Sequence, residues 1–174
     1  MSYEVEKRYL LSALPVIPQP SDGPFEYTHG FLPGTTIKER VTIRPAGPSW
    51  KRTVKVGSGV RRFEFAEDLD EKTFDFFWPL TQGRRVRAKR WKVTDEKLTQ
   101  DFGKLDGKPL RWEVTQFTDR ALHLAEIELP TEVVVQMVGG SASVPGLEFP
   151  DWLKRYVVKD VTDDEQYEAF NLGQ

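Results

Sequence analysis

Several stretches of the chain alternate polar and hydrophobic residues with the two-residue period of a β-strand. In residues 37–44, Lys38, Arg40, Thr42 and Arg44 share one face, while the other face is mainly Ile and Val. Alternation of this kind predicts strands at Tyr3–Leu10, Ile37–Arg44, Lys51–Val56, Arg61–Ala66, Arg84–Val93, Leu110–Phe117 and Ala121–Leu129. Charged and apolar faces therefore coexist on successive strands.

Helices are fewer, and three are predicted. The first, Asp70–Trp78, begins with acidic residues suited to a helix N-terminus and stops at Pro79. The second runs from Thr131 to Val138, just before a Gly-Gly pair, and the third covers Asp163–Phe170. About eight strands with so few helices between them favour an antiparallel sheet.

Closing such a sheet removes its exposed edges, so a closed barrel is the expected architecture. The predicted fold class is α+β and mainly antiparallel β: an eight-stranded closed β-barrel with a few packing helices. If the apolar faces pack outward against these helices, the charged faces point inward. Charges at that density have to be hydrated or matched by a ligand.

Composition supports one cytoplasmic domain covering residues 1–174. The absence of cysteine excludes a disulfide framework, a thiol nucleophile and a zinc site built on thiolates. The N-terminal residues are too charged for a signal peptide, and no apolar run approaches the roughly 20 residues of a spanning helix. We therefore expect no membrane partner.

Acidic residues cluster near both ends of the chain, although the net charge is only −2. Glu4 and Glu6 lie on one strand face together with Arg8, and Glu126 and Glu128 share a face of an apolar strand. Carboxylates at this spacing can share a hard metal ion. A solvated edge strand is the competing interpretation, and it is weaker for the second pair because that strand is otherwise apolar.

Basic residues crowd the middle of the chain, at 38–44, 51–62 and 84–92. With Trp91 and Trp112 available for stacking, these strands allow a nucleic-acid surface. The near-neutral charge and pI of about 5.8 disfavour an open basic face. They suit a concave site of both signs, in which Arg and Lys contact phosphate oxygens, or a solvated, ion-paired sheet face.

Other catalytic motifs are missing from the sequence. His29 and His123 have no metal-ligand spacing, so surface or packing roles are expected for both. The sequence contains no serine nucleophile motif, P-loop or dinucleotide fingerprint.

The N-terminal Glu4-x-Glu6-x-Arg8 resembles the Glu-x-Glu-x-Lys signature that opens the CYTH family, also called the triphosphate tunnel metalloenzymes. The resemblance spans nearly the whole chain. Further segments similar to the family follow in its order: His29–Gly34, Val54-Lys55, Arg62-x-Glu64, Gly83–Val86, Trp112–Val114, Leu124–Leu129, Phe149-Pro150-x-Trp152 and Val161-Thr162-x-Asp164-x-x-Tyr167.

This resemblance implies a tunnel that binds a linear triphosphate with arginines and lysines, while carboxylates hold Mg²⁺ or Mn²⁺. It implies metal-dependent hydrolysis of inorganic tripolyphosphate or a related organic triphosphate. The catalytic residues by position would be Arg8 and Glu6. Phosphate would be bound by Arg40, Arg44, Lys55, Arg62 and Arg90. Metal would be held by Glu4, Glu6, Glu126 and Glu128, supported by Glu64 and Glu113.

Five positions differ from the family pattern: Arg8 stands for Lys, Thr42 for Arg, Ala66 for an acid, Ala88 for Lys and Thr115 for Asp. Arg8 keeps the charge but changes reach and donor geometry. The alternative to a triphosphatase is therefore a catalytically impaired module of the same fold that binds triphosphate, polyphosphate or nucleotide.

The two-residue alternation in the strand at 84–93 bears on whether Arg90, one of the assigned phosphate contacts, can face the inside of the barrel. In the strand at 84–93, Arg85, Arg87 and Lys89 share one face, and Ala88 and Arg90 share the other. We predict that Arg90 faces inward. The expected partner is a small-molecule triphosphate, with nucleic acid ranked last and a homodimer left open.

Overall fold

The structure is a computed structural model that describes residues 2–44, 46–57, 59–139 and 141–173. Within these ranges it describes all side chains except those of Ser2 and Arg44. None of the helices in these ranges is long and apolar enough to cross a membrane.

Eight antiparallel strands close into a barrel. They are β1 (Ser2–Leu11), β2 (Asp22–Phe31), β3 (Ile37–Arg44), β4 (Gly47–Val56), β5 (Arg61–Leu69), β6 (Arg85–Thr94), β7 (Arg111–Phe117) and β8 (His123–Leu129). Around the barrel the order is β1-β5-β4-β3-β2-β6-β7-β8, and β8 pairs back onto β1 with Glu6 opposite Glu128. The predicted mainly antiparallel, closed eight-stranded barrel is confirmed.

Three short strands lie outside the barrel. A two-stranded hairpin consists of β9 (Gln136–Val138) and β10 (Ser141–Ser143), and β11 (Val157–Asp160) adds to the sheet beside β1. The same edge of β1 pairs with β5 through residues 2–5 and with β11 through residues 9–11. Because β11 takes over where β5 ends, the backbone of β1 remains paired along its length.

The first predicted helix is present as α1 (Glu71–Phe77), extended by a 3₁₀ turn over Trp78–Thr81. Its N-cap is Asp70, whose carboxylate accepts a hydrogen bond of 2.8 Å from the backbone N–H of Thr73. A further helix, α2 (Glu96–Phe102), was not predicted from the sequence; α3 (Asp151–Lys154) is a single turn.

The helix predicted at 131–138 is wrong, because residues 131–133 form a turn and a bend, 134–135 have no regular structure, and 136–138 form β9. Three consecutive valines, Val133, Val134 and Val135, explain the difference, since β-branched side chains favour extended backbone. The helix predicted at Asp163–Phe170 is also wrong in extent. This segment instead contains a 3₁₀ turn (Glu165–Tyr167) and the short helix α4 (Ala169–Leu172), and Glu168 between them has an extended backbone.

The larger hydrophobic core lies outside the barrel wall, and a smaller apolar cluster from β2, β6, β7 and β8 reaches the inside of the barrel. The outward side chains of β1, β7 and β8 include Val5, Trp112 and Ile127, all with 1% exposure or less. They pack against Leu98 of α2 and Leu153 of α3. Because this outer layer supplies much of the apolar packing, many inward positions of the strands are free to carry charge.

Candidate active site

A cavity of about 210 Å³ lies inside the barrel and is lined by side chains from all eight barrel strands. We call it the barrel cavity. Ten of the predicted site residues line it: Glu4, Glu6, Arg8, Arg40, Lys55, Glu64, Arg90, Glu113, Glu126 and Glu128. Arg62 reaches the same carboxylates from an adjoining cavity. Arg44 ends β3, and its side chain lies outside the described part of the structure.

The β1 carboxylates form an ion-paired network with the basic residues of β4 and β5. Glu4 accepts hydrogen bonds from Lys55 Nζ at 2.6 Å and from Arg62 Nε at 3.1 Å. Glu6 Oε1 accepts from Arg62 Nη2 at 2.7 Å and from Arg8 Nη2 at 2.6 Å. Burial opposes ionisation of Glu6, but Lys55, Arg8 and Arg62 together outweigh it and hold its pKa well below the ordinary value.

Protein groups engage every nitrogen of the Arg8 guanidinium. Nε donates to Glu126 at 2.8 Å, Nη2 to Glu6, and Nη1 to the carbonyl oxygen of Tyr167 at 3.2 Å. Burial acts against the charged form of Arg8, yet Glu6, Glu126 and Glu168 raise its pKa above the ordinary value. Arg8 is thus a permanently charged centre that ties β1 to β8 and to the C-terminal segment.

A second network joins β6 to β7 and β8. Arg90 lies inside the barrel, on the face that strand parity predicted, and pairs with Glu113 and with Glu126, the latter at 2.8 Å. Its Nε donates to the hydroxyl of Thr115 at 2.9 Å, and Lys92 also pairs with Glu113. Burial opposes ionisation of Glu113, but Arg90 and Lys92 outweigh it and lower the pKa to about 2.

Glu128 differs from the other acids, because it makes no ion pair within the described part of the chain. It faces Glu6 across the β1–β8 pairing. Desolvation inside the barrel, followed by the negative charges of Glu4 and Glu6, raises the pKa of Glu128 to about 7. This part of the wall therefore has an excess of carboxylate over cation.

The donor chemistry of this acidic wall suits a hard divalent cation, because carboxylate oxygens are the ligands that Mg²⁺ and Mn²⁺ prefer. Across the residues that the structure describes, no three Asp, Glu or His side chains are already grouped closely enough to enclose a metal ion. The reason is that Glu4, Glu6 and Glu126 are turned toward arginines and Lys55. Metal binding would exchange some of these ion pairs for coordination.

The wall formed by β2 and β3 has an excess of positive charge instead. Lys38 and Arg40 line the cavity, and neither has a salt-bridge partner among the described residues. Arg40 Nε and both ring nitrogens of His29 are buried without a hydrogen-bond partner in the same set. Burial, then the charges of Lys55 and Arg40, lowers the pKa of Lys38 to about 7. This wall lacks an anion.

Lys38, His29 and Glu168 are among the cavity residues that sequence reasoning did not assign to the site. Lys38 could have been found, because it shares the inward face of Arg40 in the two-residue alternation of β3. His29 lies opposite Arg40 across β2 and β3, which only the strand register reveals. No signal in the sequence marks Glu168.

Glu168 brings the C-terminal segment into the cavity. Its carboxylate accepts two hydrogen bonds from Arg62 Nη1, at 2.7 and 2.8 Å, and lies 3.2 Å from Arg8 Nη1. Next to it, Phe170 packs edge-on against Phe31 at a centroid distance of 5.6 Å. The segment therefore places a carboxylate where two arginines would otherwise face the cavity.

Comparison with known proteins relates this architecture to a phosphate-cleaving enzyme. No family model matches the sequence. A curated relative, an inorganic triphosphatase of Nitrosomonas europaea, is 27% identical over 168 residues, which covers 94% of this chain and 92% of the relative.

A crystal structure of an inorganic triphosphatase matches with a TM-score of 0.56 and 20% identity, covering 99% of this chain and 95% of that one. A second crystal structure of that protein, under the description of a hypothetical protein, matches with a TM-score of 0.54 and 21% identity. The match covers 98% of this chain and 97% of that one. The chain shares the fold of an inorganic triphosphatase. At this identity the structural likeness shows the fold alone.

The raised pKa of Glu128 predicts a pH-dependent effect on stability in the metal-free protein. The folded state keeps the Glu128 proton to about pH 7, whereas the unfolded chain releases it near the ordinary carboxyl pKa. Stability from this group is therefore full below the ordinary pKa and is lost as pH rises toward 7. We expect Glu128→Gln to raise the melting temperature, relative to the unmodified chain, more at pH 8 than at pH 5.

Scanning calorimetry in chelator over this pH range measures the effect. Glu132→Gln, at an exposed glutamate outside the barrel cavity, is the matched control and should show no such trend. A melting-temperature difference for Glu128→Gln that stays constant with pH would contradict the assigned ionisation.

Proposed function

We propose that this chain is a metal-dependent triphosphatase that hydrolyses inorganic tripolyphosphate, or a related organic triphosphate, inside the barrel cavity. One observation carries the proposal: opposite a wall rich in carboxylate, the cavity presents Lys38 and Arg40 without a salt-bridge partner, and His29 without a hydrogen-bond partner, among the described residues. Likeness to a curated inorganic triphosphatase over 94% of the chain supports the same reaction class.

A linear triphosphate carries the charge that the β2–β3 wall lacks. Arg40 offers a forked donor and Lys38 a point charge, and both reach the cavity from neighbouring inward positions of β3. An approaching phosphate would raise the pKa of Lys38 and hold the ammonium in its charged form. Lys55, Arg62 and Arg90 extend the positive surface, each already sharing its charge with a glutamate.

Glu4, Glu6, Glu126 and Glu128 are the residues that would hold Mg²⁺ or Mn²⁺. A bound ion would supply charge neutralisation for the phosphate oxygens and an acidified water. The match between these residues and a metal ion rests on Glu128, whose carboxylate makes no ion pair among the described residues and faces Glu6 across the strand pairing. Glu64 and Glu113 support the site by fixing Lys55 and the Arg90–Lys92 pair.

Arg8 acts in this proposal through the carboxylates that it holds. Its pKa lies above the ordinary value, so it cannot supply a proton near neutral pH. Its hydrogen bonds instead fix Glu6 and Glu126 toward the cavity. Thr115, at a position where the family carries an aspartate, provides the hydroxyl that orients Arg90.

A second candidate function is a module that binds triphosphate without efficient turnover. It is favoured by the position of Arg8, where the family carries a lysine, because each of its three guanidinium nitrogens already donates to a protein group. Ala88 and Thr42, two other departures, are buried without a charge to offer. The two functions share the binding site and differ in whether phosphate is released.

Orthophosphate release from tripolyphosphate tests the enzyme directly, with Mg²⁺, Mn²⁺ or chelator and with ATP in parallel. We expect metal-dependent release that favours tripolyphosphate. Glu6→Gln and Glu128→Gln should each lower the rate by roughly a hundredfold or more, because each removes a charged oxygen ligand. Glu132→Gln should leave the rate unchanged.

Unchanged rates in both cavity variants would exclude the assigned mechanism. Calorimetric binding of tripolyphosphate without any release would establish the binding module instead.

We predict that mutation of Glu168 increases the affinity for tripolyphosphate, because its carboxylate competes with phosphate for Arg62 and Arg8. Replacing it by glutamine removes one negative charge from the cavity and one ion-pair partner from each guanidinium, while the bonds of both arginines to Glu6 remain. We expect Glu168→Gln to bind tripolyphosphate roughly fivefold more tightly in low salt and chelator, corresponding to about 1 kcal/mol. Titration calorimetry measures the change, with Glu132→Gln as the control. Equal or weaker binding would show that Glu168 does not occupy phosphate space.

A further inference from the structure

His29 lies on β2 with its side chain inside the barrel, and it is only 4% exposed. Neither Nδ1 nor Nε2 has a hydrogen-bond partner among the residues that the structure describes. The ring is held by stacking on Tyr27, with centroids 4.4 Å apart and planes 29° apart. Buried polar groups are nearly always hydrogen-bonded in folded proteins, so an orphaned imidazole needs an explanation.

The groups around His29 are cationic. Arg40 lies directly opposite across β2 and β3, and its Nε is also buried without a partner. Burial, followed by Lys38, Arg40, Arg90 and Lys55, holds the pKa of His29 well below its ordinary value. The imidazole is therefore neutral near pH 7, with one N–H donor and one acceptor nitrogen.

An anion in this position would give His29 a hydrogen-bond acceptor and would also balance the positive charge of Lys38 and Arg40. Phosphate oxygens attracted to Lys38 and Arg40 would lie against the one N–H that His29 has to offer. Because the stack on Tyr27 already fixes the ring, little side-chain freedom would be lost on binding. The packing role expected from the sequence does not account for two unpaired nitrogens.

We propose that His29 is a substrate-binding residue, whose neutral imidazole donates a hydrogen bond to a phosphate oxygen of the triphosphate held by Lys38 and Arg40. This inference rests on the proposed function and adds a residue to its binding site. His29 contacts the substrate as an uncharged donor, so it helps to position the phosphate without adding charge to a cavity that already carries many cations.

Imidazole ¹⁵N spectra of the full chain, titrated with tripolyphosphate in chelator at pH 8, test the contact. The chain has only two histidines, which makes assignment direct. His123 on β8 does not line the barrel cavity and serves as an internal control. We expect the His29 resonances to move with saturation and those of His123 to stay in place.

Variants give an independent measurement by titration calorimetry. His29→Phe preserves the stacked ring and removes both nitrogens, so affinity for tripolyphosphate should fall roughly tenfold or more. His29→Gln keeps a donor and should stay within about threefold of the unmodified chain, and His123→Gln should match it. Melting temperatures establish that each variant is folded, and the spectra of the unmodified chain decide the question if one is not.

The failures are distinguishable. If the unmodified chain binds tripolyphosphate while the His29 resonances stay still, or if His29→Phe binds equally well, this inference is overturned and the proposed function stands. If the unmodified chain does not bind tripolyphosphate at all, the proposed function fails and this inference fails with it.

Discussion

The balance of charge inside a closed barrel is the constraint on which the rest of the structure depends. Closing eight strands on themselves gives every strand an inward face with limited access to water, and here those faces carry charge. Desolvated charges require partners. Glu6 pairs with Arg8 and Arg62, and Glu126 pairs with Arg8 and Arg90, across β1, β5, β6 and β8. Much of the apolar packing consequently lies outside the wall, where Trp112 and its neighbours form the larger of two hydrophobic clusters.

This balance is incomplete in two places, and both point to ligands. Within the part of the chain that the structure describes, Glu128 pairs with no cation, while Lys38 and Arg40 pair with no anion. Their pKa values move toward the neutral forms, as expected when burial acts on charges without partners. A metal ion with a phosphate chain would satisfy both walls together. Glu168 meanwhile supplies a protein carboxylate to the arginines nearby.

Alternation along the chain was sufficient to predict seven of the eight barrel strands, all but β2, and to place Arg90 with Ala88 on one face of β6, because a two-residue period fixes which side chains share a face. Helix predictions failed where tertiary contacts or β-branched residues decided the backbone, at Val133–Val135 and at Glu168. Sequence spacing also cannot show which charges neutralise each other. The pairing of Arg8 with Glu126, 118 positions away, depends on the closure of β8 onto β1. That His29 has no hydrogen-bond partner among the described residues is visible only once the strands around it are assembled.

A crystal structure of the protein soaked with tripolyphosphate and Mn²⁺ would test most directly whether the acidic wall binds metal and the β2–β3 wall binds phosphate. Anomalous scattering locates the metal independently of the phosphates. The two-walled cavity predicts Mn²⁺ beside Glu6 and Glu128 and phosphate oxygens in contact with Lys38 and Arg40. Phosphate bound outside the barrel, or Mn²⁺ bound away from these carboxylates, would contradict it.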